Sequence, residues 1–286
     1  MYATAQHHGY MSHTNTTEDY LNVTPLDGTT MLYSLFDGHK GPTVSREAAQ
    51  KLPLAIKARY ATLEDRSPAN LERVLMSEFH EFDLALKKWI DCGSTATCAI
   101  VTPTHIIVAN IGDTPALVFT TAAVLLHETD IHDCYNPEEA VRVGAAGGFI
   151  SNNNRYRTHC VNNDVAVTRA FGDFHLKQKP LLLSIPKTYV WDRIAGTYLA
   201  LCTSGFTETL VNDPSGAREK DGSIVKLIQP IVDMKVIVRE LAPFVLTAPD
   251  LKTAAERATK ARADAFYYNV AKRYCGENTT LILVAL

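Results

Sequence analysis

Apolar and polar positions along the chain follow two different periods, and the switch between them marks the elements. β-Branched and apolar residues run over Met31 to Phe36, Thr95 to Thr102, His105 to Ile111 and Pro115 to Thr120, each bounded by turn-forming residues, which predicts strands. Thr102-Pro103-Thr104 and Gly112-Asp113-Thr114 are read as the turns that join the last three into an antiparallel meander. From about Pro68 to Asp91 the spacing changes to three and four, and Leu71, Leu75, Phe79, Phe82, Leu86 and Trp89 fall on one face of a helix. A shorter helix is predicted from about Ser45 to Tyr60, with Pro53 expected to end or kink it because proline lacks a backbone donor. Two more helices are predicted, from about Gly222 to Leu246 with a break near Pro230, and from about Pro249 to Tyr274. A strand from Thr279 to Leu286 follows them.

No composition break, low-complexity tract or internal repeat interrupts residues 1–286, so a single domain is expected. Sheet segments and helices in this order predict an α+β sandwich, with helices packed outside paired antiparallel sheets.

Charge and composition narrow the function classes. The chain has 28 basic and 31 acidic side chains and a net charge of −3, which gives no electrostatic footprint for nucleic acid or for an acidic membrane surface. No stretch of about 18 apolar residues occurs, and the first residues lack a basic region followed by an apolar run. The expectation is an intracellular, cytoplasmic protein. Cys92, Cys98, Cys134, Cys160, Cys202 and Cys275 are scattered, without the close pairs of a zinc site or a disulfide framework, and most of them read as buried thiols.

The candidate chemistry lies in acidic residues at strand ends and turns: Glu18-Asp19, Asp37-Gly38, Asp113 and Glu277-Asn278. Oxygen donors of this kind suit Mg²⁺ or Mn²⁺, and no His/Cys cluster argues for zinc. Two such ions sharing a carboxylate can activate water and neutralise a phosphoryl group during in-line displacement. By spacing alone each position stands open between a metal ligand and a solvated turn, since Asp-Gly after a strand is most often only a turn.

Taken in order, the segments resemble the metal-dependent protein phosphatase 2C family, the PPM-type serine/threonine phosphatases, along nearly the whole chain. The stretches that carry the resemblance are Thr17-Glu18-Asp19, Leu35-Phe36-Asp37-Gly38-His39, Gly93-Ser94-Thr95-Ala96, Val108-Ala109-Asn110-Ile111-Gly112-Asp113-Thr114, Ala145-Ala146-Gly147-Gly148-Phe149-Ile150, Val167-Thr168-Arg169-Ala170-Phe171-Gly172-Asp173 and Glu277-Asn278-Thr279-Thr280. The resemblance implies a four-layer αββα sandwich, a binuclear Mg²⁺/Mn²⁺ centre and hydrolysis of phosphoserine or phosphothreonine. It implies Asp37 as the bridging carboxylate, the Gly38 carbonyl and Glu18 as further metal donors, and Asp113 at the position of an additional, weaker metal. His39 matches the histidine proposed as general acid, although a histidine after a turn can also serve only a local hydrogen bond.

Departures from the family pattern fall on one half of this machinery. Thr203-Ser204-Gly205 stands where the family has Ser-Asp-Gly, so Ser204 replaces an anionic ligand by a neutral hydroxyl. Glu277 stands for an aspartate; it keeps the charge but lengthens the side chain by a methylene, which octahedral Mg²⁺ tolerates poorly. Thr14 aligns with the arginine that grips substrate phosphate, and threonine offers no bidentate charged clamp. A single transition-state contact of this kind contributes ~2.7–4 kcal/mol, so together the losses predict strongly reduced turnover.

One metal site is therefore expected to be retained and the other weakened or lost, with Glu208 the nearest group able to compensate for Ser204. Residues about 130 to 182 resemble the family's flap, in which Arg155 and Arg157 form a basic loop that either contacts a phosphorylated partner or is merely solvated. Gly147-Gly148 and Arg169 to Asp173 are read as structural. The expectation is a pseudophosphatase that works by binding a protein or phosphoprotein. The alternative is an active phosphoserine/phosphothreonine phosphatase with an atypical metal site.

Overall fold

The structure is a computed structural model and describes residues 1–7, 17–86, 91–153, 158–212, 226–231, 233–269 and 278–286. In chain order its elements are β1 (Tyr2–His7), β2 (Asp19–Pro25), β3 (Met31–His39), α1 (Thr43–Ala61), α2 (Pro68–Ala85), β4 (Gly93–Ser94), β5 (Ala96–Val101), β6 (His105–Ile111), β7 (Ala116–Phe119) and β8 (Leu125–Glu128). Then come α3 (Pro137–Ala145), β9 (Ile150–Asn153), β10 (Thr158–Val161), β11 (Phe171–Gly172), α4 (Phe174–Lys177), β12 (Lys187–Asp192), β13 (Tyr198–Cys202) and α5 (Ser204–Thr207). The last are β14 (Glu208–Asn212), β15 (Lys226–Pro230), α6 (Lys235–Thr247), α7 (Leu251–Asn269) and β16 (Thr279–Ala285).

Two antiparallel sheets form the centre. One has the order β11-β4-β3-β5-β6-β12, with β2 also paired to β3, and the other runs β1-β16-β13-β7-β8. The period of two along each strand sends alternate side chains to different layers. Tyr33, Leu35, Ala99, Val101, Ile106 and Val108 meet Ala116, Val118, Leu199, Leu201, Ile282 and Val284 between the sheets. Their neighbours Leu32, Phe36, Cys98, Ile100, Ile107 and Ala109 face outward onto α1 and α2. On the opposite side Leu117, Phe119, Ala200, Cys202, Leu281 and Leu283 face α6 and α7. The result is the four-layer αββα sandwich.

Helix α1 presents Val44, Ala48, Leu52, Ile56 and Tyr60 to the sheet at intervals of four. The helix does not end at Pro53, which lies inside it. Leu52 and Ile56 on either side are fully buried, and their packing outweighs the one missing donor. Helix α2 opens with Pro68 in its first turn, where no donor is lost, and buries Leu71, Leu75, Phe79 and Phe82. Trp89 lies outside the described residues.

Two sequence expectations are corrected. The meander over residues 95–120 does not form: β5 pairs with β6, but β7 pairs with β13 and β8 in the other sheet. Gly112-Asp113-Thr114 is thus a crossing between sheets, made possible by Gly112 at φ 84°. The segment predicted as a helix from Gly222 to Leu246 is divided: Lys226–Pro230 is a strand paired with β14, and the helix begins only at Lys235.

Between β8 and β12 the chain builds a smaller layer with its own core of Cys134, Val143, Val161, Val165, Leu176 and Leu182. Asn136 caps α3 by accepting from the Glu138 and Glu139 backbone N–H groups. Glu139 then ties the layer together: Arg169 Nη2 donates to its Oε1 at 2.6 Å and Arg142 Nη2 to its Oε2 at 2.8 Å. Burial alone would raise this carboxyl, but the two guanidinium groups hold it down at about 2.

Candidate active site

A cleft of about 270 Å³ opens at one end of the sandwich, where β3 ends, the chain crosses from β6 to β7, and β13 runs into α5. Glu18, Asp37, Gly38, His39, Asp113, Ser204 and Glu208 all line it. Thr14, Arg155, Arg157 and Glu277 lie outside the described residues.

The end of β3 is fixed from several sides. Asp37 N–H donates to Thr95 Oγ1 at 3.2 Å, and Thr95 N–H returns a bond to the Asp37 carbonyl at 2.9 Å. Gly38 N–H and Ser45 Oγ both donate to the Glu18 carbonyl, at 3.1 and 2.6 Å. A Cβ at Gly38 would stand 2.5 Å from Ser45 Oγ and 2.8 Å from the Glu18 carbonyl oxygen, so only glycine lets β2, β3 and α1 approach this closely. Thr95 Oγ1 also bonds Thr114 Oγ1 at 2.6 Å, which positions the crossing that carries Asp113.

The register of β2 against β3 sets Asp19 directly opposite Asp37. Asp19 is 2 % exposed, and its Oδ2 accepts from Thr280 Oγ1 of the other sheet at 2.6 Å. Burial lifts both carboxyls above the ordinary range; repulsion from Asp37 adds to this at Asp19, whereas the Ser204 backbone N–H partly offsets it at Asp37. Glu18 is also raised by burial, against a bond from the Gly41 backbone N–H. Asp113 is pushed up to about 7 by burial and by the Asp37 and Asp133 carboxylates.

His39 Nε2 lies 2.5 Å from Asp173 Oδ2. Burial pulls the imidazole down, but the Asp173 carboxylate outweighs it and leaves the ring raised above its ordinary value. Asp173 is fully buried and has a left-handed backbone at φ 47°. Asp173 lies in the Arg169 to Asp173 stretch, whose sequence reads as structural, and in the folded chain it is the partner of His39. No local signal connects two residues 134 positions apart. Gly93 is the enabling neighbour, because a Cβ there would collide with both His39 and Asp173.

Ser204 stands beside Asp37, and its backbone N–H donates to Asp37 Oδ2 at 3.1 Å. The group brought to that carboxylate is therefore a donor followed by a neutral hydroxyl. Among the described residues no three His, Cys, Asp or Glu side chains come together as a ligand group for a metal. Asp37, Glu18 and the Gly38 carbonyl nevertheless supply hard oxygen donors on one side of the cleft, and the raised carboxyls there are ones a divalent cation would relieve. Oxygen donors of this kind are the type that Mg²⁺ or Mn²⁺ takes.

The protein phosphatase 2C family profile matches residues 6–214, which is more than half of the chain. The chain belongs to the protein phosphatase 2C family. It is similar to protein phosphatase ppm-1.A of Caenorhabditis elegans, with 28% identity over 214 residues that cover 66% of this chain and 44% of that protein. It is also similar to protein phosphatase 1L of Bos taurus, with 25% identity over 229 residues, 77% of this chain and 61% of the relative. The matches thus span about half the length of these curated relatives.

Among solved structures, a phosphatase from a pathogenic strain of Toxoplasma gondii superposes with a TM-score of 0.72 at 18% identity, covering 100% of this chain and 92% of that one. A C. elegans sex-determining protein gives a TM-score of 0.73 at 20% identity, covering 99% and 64%. At these identities the likeness is one of fold. Among the described residues no helix is long and apolar enough to cross a membrane.

Proposed function

We propose that this protein phosphatase 2C family member is a pseudophosphatase, strongly impaired in turnover, whose cleft binds a phosphorylated protein partner. The observation that carries the proposal is the environment of Asp37: the neighbouring position on the α5 side is Ser204, which offers a backbone N–H and a hydroxyl in place of a carboxylate. Asp37, Glu18 and the Gly38 carbonyl would hold one Mg²⁺ or Mn²⁺, which when bound supplies charge neutralisation to a phosphoryl group. Ser204 itself supplies no anionic charge to a second ion, which would have to draw it from Glu208 or Asp113.

Calorimetric titration with Mn²⁺ tests the metal part of the reading. One ion per chain, lost in Asp37→Asn, is expected; two ions of similar affinity would contradict it.

The second reading, an active phosphoserine/phosphothreonine phosphatase with an atypical centre, draws support from His39. Its contact with Asp173 favours the protonated ring, the form a general acid needs when a leaving alkoxide departs. Asp113 and Glu208, on the same cleft, are the acidic groups such a centre would recruit.

A further inference from the structure

We propose that Lys40 is the phosphate-recognising cation of the cleft and that Asp164 occupies it until a phosphorylated side chain takes its place. The inference rests on the reading of the cleft as a phosphoprotein-binding site and names the residue that would give that site its selectivity.

Charge is the first argument. The described lining carries the carboxylates of Glu18, Asp37, Asp113, Asp164 and Glu208; its positive groups are Lys40 and the His39 ring, which is already paired with Asp173. A phosphate dianion entering this wall meets repulsion, apart from any bound metal, unless a fixed positive charge receives it. Lys40 follows His39 directly and lines the same cleft as Asp37, so its charge lies beside the acidic end of β3.

Backbone conformation is the second. Lys40 has φ 59°, in the left-handed region that favours glycine, and Gly41 follows at φ 122°. A lysine held there carries a strain that glycine would avoid, and such strain collects where a side chain is needed.

The third argument is the partner. Lys40 Nζ donates to Asp164 Oδ1, while the other oxygen of Asp164 bonds His175 Nε2. Asp164 is delivered by a tight turn in which Asn162 and Asn163 both have positive φ, at 48° and 61°, and its own N–H bonds the Val161 carbonyl at 2.9 Å. The Lys40 and Asp164 side chains are 25% and 28% exposed, so the pair meets water at the mouth of the cleft. A partly exposed ion pair exchanges its carboxylate for another anion at less cost than a fully buried one. A phosphate dianion presents the same kind of oxygen acceptor with more charge, and can replace the carboxylate on Lys40 without leaving the ammonium unpaired.

A structural latch between β3 and the segment that carries Asp164 would use the same pair, and the two roles differ in sign. The test is calorimetric binding of a peptide carrying a non-hydrolysable phosphonate mimic of phosphothreonine, and of its unmodified form, to the full chain at millimolar Mn²⁺. Asp164→Asn is expected to tighten binding of the phosphonate peptide, Lys40→Met to weaken it about tenfold or more, and Lys40→Arg to retain it. In the double variant, Asp164→Asn should give no rescue of Lys40→Met. Selective binding by the wild type that Lys40→Met leaves unchanged, or that both single variants weaken alike, overturns the inference while the cleft reading stands. Absence of selective binding in the wild type and in Asp164→Asn alike overturns both.

Discussion

Asp19 and Asp37 face each other across β2 and β3, two buried carboxylates in register, with Thr280 Oγ1 donating to the first at 2.6 Å and the Ser204 N–H to the second at 3.1 Å. Neighbouring like charges removed from water destabilise a metal-free fold and attract a cation. Asp37→Asn is therefore expected to raise the melting temperature of the metal-free protein and to abolish the further rise that Mn²⁺ produces in the wild type. Thermal denaturation with EDTA and with Mn²⁺ reads both effects. A variant that is destabilised without metal, or that keeps the full Mn²⁺ shift, goes against this account.

His132 makes a contribution to stability that is lost on the acid side. This side chain is 1% exposed, and neither ring nitrogen has a partner among the described residues. Burial, followed by the Arg169 charge, lowers it from 6.5 to about 4. The unfolded chain then binds a proton that the folded chain refuses, so this contribution is complete above pH 6.5 and is lost as pH falls toward 4, by up to ~3 kcal/mol. Glu139, held at about 2, adds a loss of the same sign below pH 4.5, whereas Asp133, raised by burial to about 6, and Asp113, pushed up to about 7, act in the opposite direction. Urea melts at pH 7 and 4.5 should show the stability difference between His132→Leu and the wild type shifting in favour of the variant as pH falls; an unchanged difference would contradict the His132 account.

Glu139 joins Arg142 and Arg169 from separate parts of the segment between β8 and β12. Its replacement by glutamine leaves two guanidinium groups short of their counter-charge, at a cost of about 3 kcal/mol. Opening should be local at first, because the sandwich layers have separate cores. Hydrogen exchange in Glu139→Gln is expected to quicken at Val161 to Val167 and around α3 while β5 and β6 stay protected. Uniform loss of protection would contradict the separation of these cores.

Gly93 leaves room for His39 and Asp173 to meet. In Gly93→Ala the added methyl displaces that pair, and the histidine loses the carboxylate that raises it. The His39 imidazole should titrate at lower pH by NMR than in the wild type, while circular dichroism still reports a folded chain. An unchanged titration would show that Asp173 has no hold on the ring.

Much of the sandwich was legible because its strands alternate between layers that both exclude water, as in Leu32, Tyr33, Leu35 and Phe36, and because α2 repeats its apolar residues on one face. The sheet to which β7 belongs was not legible. Ala116 to Phe119 are buried on both faces, and such a run reads the same in either sheet. Residues 226–230 form a short apolar run that looks alike in strand and helix, and it is their pairing with β14 that makes them a strand. In the cleft, Asp37, Gly38 and His39 were visible as neighbours in one motif. Asp173 and the opposition of Asp19 to Asp37 depend on contacts and register that only the folded chain creates.

The central claim is that the serine beside Asp37 has disabled phosphoryl hydrolysis on an otherwise retained scaffold. Its most direct test is turnover of a phosphothreonine peptide at millimolar Mn²⁺ by the wild type, Asp37→Ala and Ser204→Asp. The account predicts wild-type turnover no higher than that of Asp37→Ala and a measurable gain in Ser204→Asp. Robust wild-type turnover that disappears in Asp37→Ala would contradict it and establish a working phosphatase with an atypical centre.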